Sequence, residues 1–141
     1  MTNDQHDFEQ FMQQRQQASR AYMNSDASLF RKIIARQSPI TFFRPQGGAY
    51  EGAEAVSSFE LLPAALEHSS DDQFEILHMA ASDRLAYWVG FQRSTTHLRG
   101  RAEAVLFDLR VTELFRREGD TWKLIHRHAD PLISEPAAKP Q

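Results

Sequence analysis

The sequence predicts an α+β domain in which N-terminal helices cover one face of an antiparallel sheet. Three observations carry this. Apolar residues recur at three- and four-residue steps through the first half of the chain, as on the buried stripe of a helix. After Asp72 they alternate with period two, as on a half-buried strand. The alternating segments are long and joined by tight polar connections, which pairs them antiparallel.

The first helix places Phe8, Phe11, Met12, Arg15, Ala18 and Tyr22 on one face, and Gln10, Gln13, Gln14, Gln16 and Gln17 form its solvated side. Asn24, Ser25 and Asp26 offer capping oxygens before a second helix, whose stripe is Leu29, Phe30, Ile33 and Ile34 and which Pro39 ends. A short strand over 40–43 leads into a turn at Pro45, Gly47 and Gly48, with Tyr50 in the extended piece that follows. Gly52 precedes a third helix with Val56, Phe59, Leu62 and Leu66 on one face, kinked or broken by Pro63. Four strands follow, over 74–81, 84–95, 102–117 and 121–130, connected through Ser82-Asp83 and Arg117-Glu118-Gly119-Asp120. The expected organisation is one domain over 1–133 and a disordered Pro- and Ala-rich tail over 134–141.

Composition narrows the function classes. Hydrophobic residues make up 41% and charged residues 25% of the 141, ordinary for a globular chain. Net charge is −3 and no Lys/Arg run could follow a phosphate backbone, so no nucleic-acid partner is expected. The chain has no cysteine, which excludes disulfides, thiolate catalysis and Cys-based zinc sites. The first ten residues lack the apolar run of a signal peptide, and no stretch is long enough to span a membrane, so a cytoplasmic location is expected.

The 102–117 strand is the most informative. Val105, Phe107, Leu109, Val111 and Phe115 form a core face interrupted by one charge, Glu113. A carboxylate there must reach a partner, water or a cavity. The opposite face carries Leu106 and Leu114, and Trp88 points away from Tyr87 and Phe91, so that outer face is half apolar and fits a symmetric dimer contact. The last strand allows two registers. A three-residue loop at Arg117-Glu118-Gly119, with Gly119 left-handed, brings Arg127 to the core side near Glu113; a two-residue turn brings in His126 and His128 instead. The Glu-Gly pair favours the first.

Several segments together resemble the SnoaL-like branch of the nuclear-transport-factor-like superfamily, which also holds ketosteroid isomerase and the association domain of calcium/calmodulin-dependent kinase. The carrying segments are Phe42-Phe43-Arg44-Pro45-Gln46-Gly47-Gly48 with Glu51-Gly52-Ala53-Glu54-Ala55-Val56, then Ser82-Asp83-Arg84-Leu85-Ala86-Tyr87-Trp88-Val89-Gly90. The third is Val111-Thr112-Glu113-Leu114-Phe115-Arg116-Arg117-Glu118-Gly119, followed by Trp122-Lys123-Leu124-Ile125-His126-Arg127-His128-Ala129-Asp130. The resemblance implies a cone-shaped fold, a pocket between the helices and the concave sheet face, and a homodimer through the convex face. It does not carry over the isomerase chemistry. Arg44 stands where that pattern places a carboxylate base, and a guanidinium stays protonated at neutral pH.

The expected ligand is a hydrophobic small molecule, with no cofactor and no metal. Glu113 is the candidate base of an acid–base isomerase, cyclase or dehydratase. Tyr22, Tyr50 and Tyr87 are candidate donors and Arg127 the holder of an anionic group. Phe8, Phe43, Tyr87 and Phe91 are expected to wall the pocket, with Arg44 among the ligand-binding residues. The same residues also fit a structural Glu113–Arg127 ion pair in a non-catalytic dimerisation or ligand-sensing module. His126, His128 and Asp130 share a strand face without a clear completing ligand and read as surface or dimer contacts, and His78 as a hydrogen-bonded structural histidine.

Overall fold

The computed structural model describes residues 3–54, 66–98, 104–106 and 108–133, with backbone alone for 66–70, 96–98 and 104–106. The expected third helix beyond residue 54, Phe107 and the 134–141 tail lie outside the described residues.

Helix α1 (Asn3–Tyr22) buries Phe8, Phe11, Met12, Arg15, Ala18 and Ser19, the stripe its periodicity predicts with one charge left in it. Ser25 is left-handed (φ 70°) and turns the chain, and Asp26 Oδ1 accepts the Ser28 N–H at 3.0 Å at the start of α2 (Ser28–Ile33). Ile34 is already extended, so α2 stops well before Pro39. Strands β1 (Thr41–Phe43) and β2 (Ala49–Glu51) form a small hairpin, and β1 then runs parallel to the last strand, Phe42 opposite Arg127.

The long strands are β3 (Leu66–Ala81), β4 (Leu85–Leu98), β6 (Leu109–Glu118) and β7 (Thr121–Pro131). A three-residue β5 (Ala104–Leu106) pairs with the far end of β4. The sheet order is β2-β1-β7-β6-β4-β3. Where the sequence predicted one strand over 102–117 there are two: β4 pairs with β5 as far as Leu106, and its pairing with β6 begins only at Leu109. β3 begins earlier than expected, at Leu66, a residue that the third-helix reading had included.

Gly90 fixes how closely β3 and β4 approach. A Cβ at this position would lie 2.1 Å from the Glu75 carbonyl oxygen and 3.1 Å from Ile76 Cα, so only glycine fits. Just beyond, the register shifts between Ile76 and His78. That bulge sends His78 to the face opposite Phe74 and Ile76, although strict alternation would have kept the three together.

The β6–β7 hairpin resolves the register question by a route that neither sequence alternative contained. Glu118 pairs with Thr121, leaving a two-residue turn in which Gly119 has φ 63°. This corrects the expected three-residue loop. The pairing then slips between Leu114 and Phe115: Phe115 faces Leu124, Leu114 faces His126, and Ile125 is the extra residue. Trp122 and Leu124 therefore face the core near the turn, and beyond the bulge Arg127 and Ala129 do. Arg127 reaches Glu113 as expected, through a bulge rather than through the loop.

The core lies between α1, α2 and the concave sheet face. Phe8 meets Phe115 and Trp122 edge-on at 5.3 and 5.6 Å, pairs of about 0.5–1.5 kcal/mol each beyond the burial itself. Trp88 and Trp122 are fully buried here, which corrects the assignment of Trp88 to the outer face. On β4 the residues facing α1 are Ala86, Trp88, Gly90, Gln92 and Ser94, and the bulky alternates Tyr87, Val89 and Phe91 face outward.

Candidate functional site: a buried charge cluster under the first helix

Register places six side chains in one row across the concave face: Tyr50, Phe42, Arg127, Glu113, Trp88 and Met79, one from each strand of the main order. Arg15 comes down on this row from α1. The Glu113 carboxylate, 0% exposed, accepts four hydrogen bonds. Arg15 Nε and Trp88 Nε1 donate to Oε1 at 2.9 and 2.8 Å. Arg15 Nη2 and Arg127 Nη1 donate to Oε2, both at 2.6 Å. Both oxygens are thus filled by charged or aromatic donors from three elements.

The electrostatics follow. Burial alone pushes the Glu113 carboxyl up, and the Arg15 and Arg127 guanidinium groups outweigh it, holding the pKa at about 2. Arg15, 2% exposed, also lies between two rings, 5.0 Å over Phe30 and 5.2 Å over Phe74.

A second layer orients the first. Gln92 Oε1 accepts from Arg127 Nη2 at 2.6 Å, while its amide nitrogen donates to Ser19 Oγ (3.1 Å) and Asp72 Oδ1 (2.9 Å). Buried Asp72 is further tied to α1: Gln16 Nε2 lies 3.4 Å from Oδ2, and Arg20 Nε donates to the Asp72 carbonyl at 3.0 Å. Gln16 Oε1 caps the Phe74 N–H at 2.6 Å. The glutamine-rich side of α1 thus docks partly on β3 and is not wholly solvated.

Of the residues expected to line a pocket, Tyr22, Arg44, Tyr50 and Arg127 fall together at one end of this row. Arg44 Nη1 donates to Tyr50 Oη at 3.0 Å. Tyr22 packs edge-on against Phe30 at 5.1 Å. Burial raises the Tyr22 phenol above its usual range against the pull of Arg127, Arg44 and Arg15, so it stays protonated at neutral pH. Phe8 lies in the core at the other end of α1.

Phe43, Tyr87 and Phe91 do not join them. Phe43 stands on the outer face between His126 and His128, ring centroids 5.1 and 5.4 Å away. Tyr87 Oη is 3.2 Å from His78 Nδ1, and Phe91 lies under the Arg93 guanidinium. The physical reason is strand parity: Tyr87 and Phe91 alternate with Trp88, and Phe43 with Phe42. Among the described residues no group of three His, Cys, Asp or Glu is arranged to hold a metal ion. An open groove of about 350 Å³ runs between α1 and β3 over Met12, Phe74, Ile76 and Met79.

The residue that sequence reasoning missed is Arg15. Its signal was present: it is the only charge on α1's apolar stripe, as Glu113 is on the core face of β6.

A strongly curved antiparallel sheet wrapped on an N-terminal helix, with a short β1–β2 hairpin parallel-paired to the last strand, has many solved counterparts. A candidate dehydratase of the nuclear-transport-factor-like family from Streptomyces avermitilis superposes with a TM-score of 0.73 at 20% identity, over 92% of this chain and 98% of that one. This is the nuclear-transport-factor-like fold. A nuclear-transport-factor-like superfamily protein from Salmonella enterica gives a TM-score of 0.72 at 11% identity, covering 94% and 96% of the two chains. A candidate calcium/calmodulin-dependent protein kinase type II association domain from Thiobacillus denitrificans gives 0.62 at 19% identity, covering 83% and 88%. No family model matches the sequence, and no curated protein matches it. Among the described residues no helix is long and apolar enough to cross a membrane.

Proposed function

We propose that this chain is a SnoaL-like module that self-associates through the outer face of its sheet and uses Glu113 as a structural anchor, not as a base. The observation that carries the reading is the character of that face. Phe43, Leu85 and Leu114 are 40%, 56% and 39% exposed, and Tyr87, Val89 and Phe91 surround them. A patch of this kind on a single chain marks an interaction site, and one copy's patch fits a second by two-fold symmetry. The likeness to a kinase association domain supports it. The Glu113 environment argues the same way: a carboxylate held at about 2 with four donors on it is a poor proton acceptor for a substrate.

Leu114 lies at the centre of the face, paired with Tyr87 on one side and His126 on the other. Light scattering during size exclusion should give twice the 16.2 kDa chain mass for the wild type, and a single chain for Leu114→Arg with an unchanged circular dichroism spectrum. A wild type that runs as a single chain at micromolar concentration overturns the reading.

A second reading, binding of a hydrophobic small molecule, is favoured by the gathering of Tyr22, Arg44, Tyr50 and Arg127 at one end of the row. Arg127 is the group for a polar or anionic substituent, since its side chain keeps 11% exposure beside the fully enclosed Glu113. A thermal-shift screen of aromatic carbonyl and carboxylate compounds tests it, with Tyr50→Phe expected to weaken any stabilising compound and leave the apo melting point unchanged.

A further inference from the structure

Three of the chain's six histidines, His78, His126 and His128, stand on the outer face. They occupy two neighbouring rows. One runs Thr41, His126, Leu114, Tyr87; the next runs Phe43, His128, Thr112, Val89, His78. The histidines therefore flank the apolar centre formed by Leu114, Tyr87 and Val89, where a second copy would cover them.

We propose that this face is a pH-gated self-association surface, joined when its histidines are neutral and released as they take up protons. The proposal rests on the self-association reading above and adds its regulation. His126 Nδ1 lies 2.7 Å from Thr41 Oγ1, and Phe43 stands edge-on to both His126 and His128. His78 is tied to Tyr87 Oη. An imidazolium enclosed against an apolar partner would lose its hydration without gaining a counter-charge.

The surrounding charges offer one only at His128, and that one is shared. Asp130 is the nearest carboxylate, with Oδ2 3.9 Å from His128 Nε2, but its other oxygen is held by Arg110 at 2.6 Å. Glu51 lies across Thr41 on the neighbouring strand, and Glu113 acts on His126 only through the sheet. Arg116, which is paired with Glu118, and Lys123 continue this face toward the turn, while Glu75 and Asp108 at the far end are engaged by Arg93. Burial already holds His126 below the usual histidine range in the single chain, and a partner would push it further in the same direction. By two-fold symmetry each histidine counts twice. A roughly tenfold preference of the partner for neutral His126 would, through its two copies, weaken the dimer about 100-fold at full protonation.

The test is a sedimentation dilution series on the whole chain at about pH 8 and about pH 5.5, with circular dichroism at both, the window in which histidine titrates. The expected result is a dimer at the higher pH whose Kd rises about tenfold at the lower, part-way through the titration, and a nearly flat response for His126→Gln combined with His128→Gln. His128→Gln alone, at a side chain 52% exposed, serves if the double variant does not fold, and should flatten the response in part. A single chain at both pH values removes the self-association reading and this inference with it. A dimer with equal Kd at both leaves self-association standing and overturns the gate. A His-to-Gln variant that folds and stays as pH-sensitive as the wild type also overturns it.

Discussion

Replacing Glu113 by glutamine tests whether the buried cluster is an anchor. The side chain keeps its shape and loses its charge. Arg15 and Arg127, which donate to Glu113 at 2.6–2.9 Å, then become two buried cations without a counter-ion, and the new amide turns an NH₂ toward donors where an oxygen had accepted. Removing one partner of a buried ion pair costs about 3–5 kcal/mol, and with two cations stranded the upper half of that range is expected. For a chain of this size the melting temperature should fall by roughly 10–20 °C. Urea unfolding at fixed protein concentration is the assay, followed by tryptophan fluorescence because Trp88 Nε1 donates to the same carboxylate. The apolar replacement Arg15→Met, Glu113→Leu, Arg127→Met should recover most of the loss, because it removes the desolvated charges together. A loss below about 1 kcal/mol for Glu113→Gln would refute the anchor and return Glu113 to consideration as a titrating, substrate-facing group.

The same carboxylate sets an acid limit. Its folded pKa of about 2 lies below the ordinary 4.5, so the unfolded chain binds more protons between these values. The contribution is complete above pH 4.5 and is lost as pH falls toward 2, about 3 kcal/mol in all, which an acid titration of unfolding free energy should trace and Glu113→Gln should remove. Gln92→Leu leaves Arg127 Nη2 and Asp72 Oδ1 without their shared amide and should cost about 2–3 kcal/mol in urea, with the fold retained. Gly90→Ala drives a methyl group into the Glu75 carbonyl and should cost about 3 kcal/mol, read as a lowered melting temperature by circular dichroism.

Much of the architecture was legible because periodicity is local. The α1 stripe, the short β1, and the alternation of β6 around Glu113 all read directly. What failed was parity carried across irregularities. The bulges at Leu77 and Ile125 each flip the face of everything beyond them, and nothing in the residue types at those points announces an insertion. β4 misled for another reason. Its outward residues Tyr87, Val89 and Phe91 are bulkier than most of its inward ones, since the inward side mixes Trp88 with Gly90 and the polar Gln92 and Ser94 that meet α1. Hydrophobicity therefore pointed the wrong way on that strand. The Arg15–Glu113 pair spans 98 residues, so spacing could not reveal it, but two lone opposite charges on two facing apolar stripes could have been matched.

Ile125 works as a phase shifter inside one strand. On its turn side β7 offers the interior an indole and a leucine; on its far side it offers the interior a guanidinium and the exterior two imidazoles. Deleting this single residue would remove the bulge and leave the same pairs in plain alternation, with Arg127 still opposite Glu113 and both imidazoles still outside; keeping Ile125 without the slip is what would turn Arg127 outward and His126 and His128 toward Glu113. The slip, and not the residue type at 125, sets which face each later side chain takes. A related chain with a one-residue gap at 125 should therefore keep its guanidinium inside and its imidazoles outside on a straighter β7.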